Sequence, residues 1–148
     1  MRNIYCIGEM LIDMVAESSL DKARNFVKKP GGAPANVAVQ IAKLGGKVAF
    51  IGNLGDDSFG YYLANVLNEF NIETTYISHS GKTTLAFVGI DNNGERDFEF
   101  YRGSDGKYQI QDSILDKLDD TDIVHFGSAT ALLGDELYES YFKLLEEA

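Results

Sequence analysis

Gly31-Gly32-Ala33-Pro34-Ala35-Asn36 is the segment of this chain best able to build a binding site from main chain. Two glycines let bare backbone approach a ligand, Pro34 fits the first turn of a helix, and the amides of that helix N-terminus point at whatever sits in front of them. Asn36 can both donate to and accept from a polyol, or bond locally as a cap. Asp13, in Leu11-Ile12-Asp13-Met14, is a carboxylate in apolar company. Burying it without partners is costly or raises its pKa, so it either reaches solvent or accepts hydrogen bonds from ligand hydroxyls.

Two phosphate-binding patterns are absent. Gly81-Lys82-Thr83 ends like a Walker A loop, but Tyr76 stands where that loop needs its first glycine, and Gly52-Asn53-Leu54-Gly55 lacks the dinucleotide spacing. Asp56 and Asp57 are sufficiently explained as helix caps, and His125 as a core histidine, since no serine elbow or cysteine accompanies it. The single cysteine, Cys6, excludes an intrachain disulfide and multi-cysteine metal sites.

The elements that would position these residues follow from periodicity. Ile4-Tyr5-Cys6-Ile7, Val48-Ala49-Phe50-Ile51 and Ile123-Val124-His125-Phe126 are apolar runs, as expected for strands buried on both faces of a parallel sheet. Val37, Ile41 and Leu44 mark one amphipathic helix; Phe59, Leu63, Val66, Leu67 and Phe70 mark a second that Asp56 or Asp57 can cap. This alternation is α/β. Between Thr83 and Arg102, two strands meet at Asp91-Asn92-Asn93-Gly94, an antiparallel hairpin with an apolar face that needs a ligand or a second subunit. Asp135 is expected to cap a last helix with Leu137, Tyr141, Leu144 and Leu145 on one face; its end at Glu146-Glu147-Ala148 carries no stop signal and reads as cut off.

The chain has 148 residues, 45% of them hydrophobic, enough for one domain with a real core. A formal net charge of -10 opposes binding to nucleic acid or anionic lipid and favours small soluble partners. Met1-Arg2-Asn3 leads into a short apolar stretch broken by Glu9 and Asp13, which fits neither a signal peptide nor a membrane span, so a cytoplasmic location is expected.

Taken together, Gly8-Glu9-Met10-Leu11-Ile12-Asp13, Gly31-Gly32-Ala33-Pro34-Ala35-Asn36-Val37-Ala38, Gly52-Asn53-Leu54-Gly55-Asp56-Asp57-Ser58-Phe59-Gly60 and Phe98-Glu99-Phe100-Tyr101-Arg102 resemble, in order, the N-terminal half of the ribokinase-like (pfkB) carbohydrate kinases. The resemblance covers residues 1–148 and implies a mainly parallel sheet flanked by helices, with a small antiparallel β lid formed by strands at about 11–29 and 83–102, incomplete at the C-terminus. It implies that Asp13, Gly31, Gly32 and Asn36 bind the sugar, that Ala86, Val88, Phe98 and Phe100 form the lid face that covers it, and that lids pair into a homodimer. Arg102 is placed to hold a carboxylate or an anomeric hydroxyl.

The activity implied is ATP-dependent phosphorylation of a sugar hydroxyl. Gly8-Glu9 and Phe100-Tyr101-Arg102 look more like fructokinases and 2-keto-3-deoxygluconate kinases than ribokinase. Leu11 and Ser128, standing where ribokinases tend to carry polar contacts, point the same way. Fructokinase is the leading reading, another sugar or nucleoside kinase the alternative, and a free-standing sugar-binding or dimerisation module the non-enzyme alternative. Gly103-Ser104-Asp105 departs from the family's Gly-Ala-Asp. The family's catalytic aspartate, in a Gly-Ala-Gly-Asp motif, and its sites for ATP, Mg2+ and, in some members, a monovalent cation belong to the C-terminal half. Hence no catalytic residue and no metal ligand is expected in this chain, and the 148 residues alone are expected to be inactive.

Overall fold

Glycine-bounded apolar runs form the centre of one sheet, and the alternating segments between and after them form a second. The computed structural model describes residues 3–147. Met1, Arg2 and Ala148, on which the readings of the two termini partly rest, lie outside the described residues. In chain order the strands are β1 (Asn3–Ile7), β2 (Leu11–Val15), β3 (Val27–Gly31), β4 (Lys47–Leu54), β5 (Ile77–His79), β6 (Leu85–Ile90), β7 (Arg96–Tyr101) and β8 (Ile123–Phe126). The helices are α1 (Ala33–Lys43), α2 (Ser58–Glu69), the single turn α3 (Asp112–Leu115) and α4 (Glu136–Glu147).

The first sheet has the order β5-β4-β1-β8 and is parallel throughout, with Tyr5 beside Ala49 and Val124. Its pleat divides the core. Cys6, Phe50 and Leu54 pack with Leu63 and Leu67 of α2 and Ala38 of α1, whereas Tyr5, Ile7 and Ile51 pack with Tyr108 and with Leu137, Tyr141 and Leu144 of α4. Burial pushes the Cys6 thiol up to about 11, so it is an inert core residue. β8 is only half-buried, unlike the strand covered on both faces that its composition suggests, because it lies at the sheet edge of the described residues.

Local chemistry explains where the helices begin and end. Pro34 occupies the first turn of α1, and Gly45, with φ of 82°, turns the chain out at its end. Leu44 is therefore carried away from the apolar stripe and is 88% exposed, contrary to the expectation from its spacing. Asp57, not Asp56, caps α2: its Oδ1 accepts from the amides of Phe59 at 3.1 Å and Gly60 at 2.9 Å. Asp56 accepts from the Tyr61 hydroxyl instead. Asp135 accepts from the amide of Glu136 and from Lys107, and Leu145 is exposed rather than sharing the buried face of Leu137, Tyr141 and Leu144.

The second sheet has the order β3-β2-β6-β7. The expected hairpin is β6–β7, antiparallel, with Asp91 Oδ1 accepting from the amides of Asn93 and Glu95 at its turn. The sheet as a whole is mixed rather than antiparallel: β2 pairs antiparallel with β3 but parallel with β6, which the chain reaches only after building most of the first sheet. β3 is an edge strand, the position in a sheet that tolerates Pro30. Two contacts tie this sheet to α2. Lys28 Nζ stands 3.6 Å from the centre of the Tyr62 ring, and Asp57 accepts from the Thr83 amide at 2.9 Å and its hydroxyl at 2.6 Å.

Candidate functional site

In an open parallel sheet the ligand crevice lies at the carboxyl ends of the strands where the strand order reverses. Here the chain runs outward from β1 through β4 to β5, then returns to β8 on the other side of β1. Pro34 marks that point: a Cβ at Gly8 or Gly127, the residues that follow β1 and β8, would fall 2.6 or 2.7 Å from its Cγ. The N-terminus of α1 is thus seated against the carboxyl ends of both strands. No side chain caps it, so its leading amides retain donor capacity.

The glycine pair brings Asp13 to the same place. Gly32 has φ of 108°, and a Cβ there would lie 3.0 Å from Met10 Cα, so only glycine lets the chain turn from β3 into α1 against the Glu9–Met10 backbone. A Cβ on Gly31 would lie 2.7 Å from Asp13 Cγ. Asp13 is half-buried; burial raises its carboxyl above the ordinary value, and Lys29, its partner across the β2–β3 ladder, works in the opposite direction. Asn36 lies in the first turn of α1 and is exposed.

Register extends the site across the second sheet. Asp13 pairs with Ala86 and Ala86 with Phe100; Val15 pairs with Val88 and Val88 with Phe98. Paired residues project to the same face, so the acidic residue and the apolar residues share one surface. Ala86 and Val88 are buried among their neighbours, and the exposed apolar area is carried by Phe98 and Phe100, 51% and 47% accessible, with rings nearly parallel at 6.3 Å. The Arg102 guanidinium continues the row, 4.8 Å from the centre of the Phe100 ring.

Sequence reading missed what holds Arg102. Its Nη1 donates to Asp105 Oδ2 at 2.5 Å and to Thr130 Oγ1 at 3.0 Å, and Asp105 also accepts from the hydroxyls of Thr130 and Thr84. Asp105 is visible in the sequence as the last residue of Gly103-Ser104-Asp105, but nothing there marks Thr84 or Thr130. Glu9 is also buried, with Oε2 lacking a hydrogen-bond partner among the described residues. His125 is half-buried on β8, outside both core clusters. Among the described residues no three His, Cys, Asp or Glu side chains gather to hold a metal ion, and no helix is long and apolar enough to cross a membrane.

The strand switch point thus carries an uncapped helix N-terminus, and the glycine pair that leads into it lies against Asp13, which shares one face of the second sheet with the Phe98–Phe100 row. The model of the pfkB family of carbohydrate kinases matches residues 1–148, and the chain belongs to that family. It is 46% identical over 136 residues to the Arabidopsis thaliana protein named probable fructokinase-6, chloroplastic, an alignment covering 87% of this chain and 35% of that protein. Its fold matches a fructokinase from Xylella fastidiosa solved with bound ATP at a TM-score of 0.84 and 39% identity, covering 99% of this chain and 45% of that one. It also matches the Halothermothrix orenii fructokinase at a TM-score of 0.85 and 31% identity, covering 99% and 53%. The chain spans less than half the length of the curated relatives it matches.

Proposed function

We propose that the protein to which this chain belongs is a fructokinase, transferring the γ-phosphoryl group of ATP to a primary hydroxyl of fructose, and that this chain supplies the acceptor half of the site. The observation that carries the reading is that Asp13 shares one face of the second sheet with Phe98 and Phe100 and lies against Gly31, which leads into the uncapped α1 N-terminus. Asp13 accepts hydrogen bonds from sugar hydroxyls, Gly31 and Gly32 admit the sugar to bare backbone, and Asn36 donates and accepts at the first turn of α1. Ala86, Val88, Phe98 and Phe100 line a lid that closes over the apolar side of the ring and keeps out water, which competes as phosphoryl acceptor. Two lids pair through Phe98 and Phe100 to form a homodimer, which would cover an apolar surface otherwise open to solvent.

Phosphoryl transfer depends on positioning both reactants and on neutralising charge at the transferring group. ATP and Mg2+ supply the phosphoryl donor and that neutralisation; no residue of this chain is assigned to either, nor to a monovalent cation. We place the reaction in the cytoplasm. The test is a coupled assay on the full-length protein with ATP, Mg2+ and fructose. Sustained fructose-dependent ADP release with a fructose monophosphate product is expected. Turnover with 2-keto-3-deoxygluconate but not fructose would overturn the substrate, and turnover with no sugar would overturn the kinase reading in favour of a binding or dimerisation module.

A further inference from the structure

Arg102 is the cation at the β7 end of this face, placed to meet the carboxylate of a sugar acid, and its charge is already matched. Its guanidinium is held on one side by Asp105 and Thr130 and on another by the Phe100 ring. Asp105 is 2% exposed and receives Thr130 and Thr84 hydroxyls as well, so it cannot swing out to release its partner. Arg102 remains 41% exposed and borders a cavity of about 370 Å³ whose other charged lining groups are Asp105 and Asp135. Asp135 is itself paired with Lys107 at 2.9 Å. An entering molecule therefore meets the remaining N–H donors of a fixed guanidinium but no net positive charge. On the same face Asp13 adds a further carboxylate, itself faced across the β2–β3 ladder by Lys29, so that pair too brings no net positive charge.

We infer that Asp105 sets the acceptor class: it holds Arg102 as an oriented, charge-compensated donor, so that the site takes the hydroxyls of a neutral ketohexose and rejects a sugar acid. Asp105 is a positioning residue, acting through Arg102. The inference rests on the sugar-binding reading of this face and goes beyond it, because it separates neutral from anionic acceptors of similar size. Removing the Asp105 charge would disorder the guanidinium toward neutral sugars and free its charge for a carboxylate.

The experiment is calorimetric titration of the full-length protein with D-fructose and with 2-keto-3-deoxygluconate, using wild type, Asp105→Asn, Thr130→Val and Asp13→Asn. Wild type is expected to bind fructose at least about tenfold more tightly than the sugar acid. Asp105→Asn is expected to weaken fructose about tenfold and to tighten the sugar acid, reversing or erasing the preference. Thr130→Val, which removes a tether but no charge, is expected to weaken fructose severalfold and keep the preference; it serves as the test should Asp105→Asn not fold. A folded Asp105→Asn with an unchanged preference, a Thr130→Val with unaltered fructose binding, or a wild type preferring the sugar acid would each overturn the inference. Fructose binding indifferent to Asp13→Asn would instead overturn the reading on which it rests.

Discussion

Replacing Asp13 with Asn in the full-length protein separates a binding role from a structural one. Asn keeps the shape that packs against Gly31, where a Cβ would come within 2.7 Å of Asp13 Cγ, so the substitution removes charge and one acceptor without opening a gap. A hydrogen bond to a charged group contributes about 1.5–3 kcal/mol, so sugar affinity and kcat/KM for the sugar are expected to fall by about ten- to a hundredfold. ATP affinity should not change. Stability should not fall either: because burial raises this carboxyl above its unfolded value, the folded state binds the proton more readily, and the ionised group is a cost at neutral pH that Asn lacks. For the same reason wild-type sugar affinity should decline on acidification from a pH above the ordinary carboxylate range of about 4, while Asp13→Asn stays flat there. Calorimetric titration against pH, with thermal melts of both proteins, reads all of this. Unaltered sugar binding in a folded Asp13→Asn protein would refute the assignment.

Asp57→Asn is expected to lower stability by about 1–3 kcal/mol: Asn can still cap α2, but it loses the charge and the second acceptor that hold the Thr83 amide just ahead of β6. Burial opposes the Asp57 charge, but bonds from Thr83, Gly60 and Phe59 outweigh it and hold the carboxyl below its usual value. The stability it adds is thus present above about pH 4 and lost as pH falls through the lowered value, so the difference in Tm from wild type should be constant from pH 7 to 5 and shrink below about 4. Phe98→Ser with Phe100→Ser should break the proposed dimer: each half-exposed ring offers about 100 Å², or about 2–3 kcal/mol when covered. Sedimentation of the full-length protein reads the dissociation, and a dimer of undiminished strength would rule out lid pairing through these rings.

What local sequence could specify, it specified. Pro34 in the first turn of α1, Asp57 before α2, the Asp91–Gly94 turn and the apolar runs of β1 and β4 each depend on preferences that act within a few residues, and their elements form where the pattern puts them. The close approach of backbone at Gly31 and Gly32 was legible too, because two glycines before a proline-started helix mark a tight turn; that the turn lies against Asp13 was not. Tertiary structure alone decided the rest. β3, written Val27-Lys28-Lys29-Pro30-Gly31, has no strand periodicity of its own; the family resemblance put a lid strand near it, but its bounds and register are set by the ladder that β2 offers. Asp13 meets Ala86 only because β2 and β6 pair in parallel across most of the first sheet. Leu44 and Leu145 have helical spacing but fall where the chain turns out or the partner surface ends, so periodicity misjudged their burial. The clasp on Arg102 joins residues from three separate segments around Thr84, Asp105 and Thr130. A buried polar group must find partners, but sequence states only that need; which distant hydroxyls meet it is set by how the sheets pack.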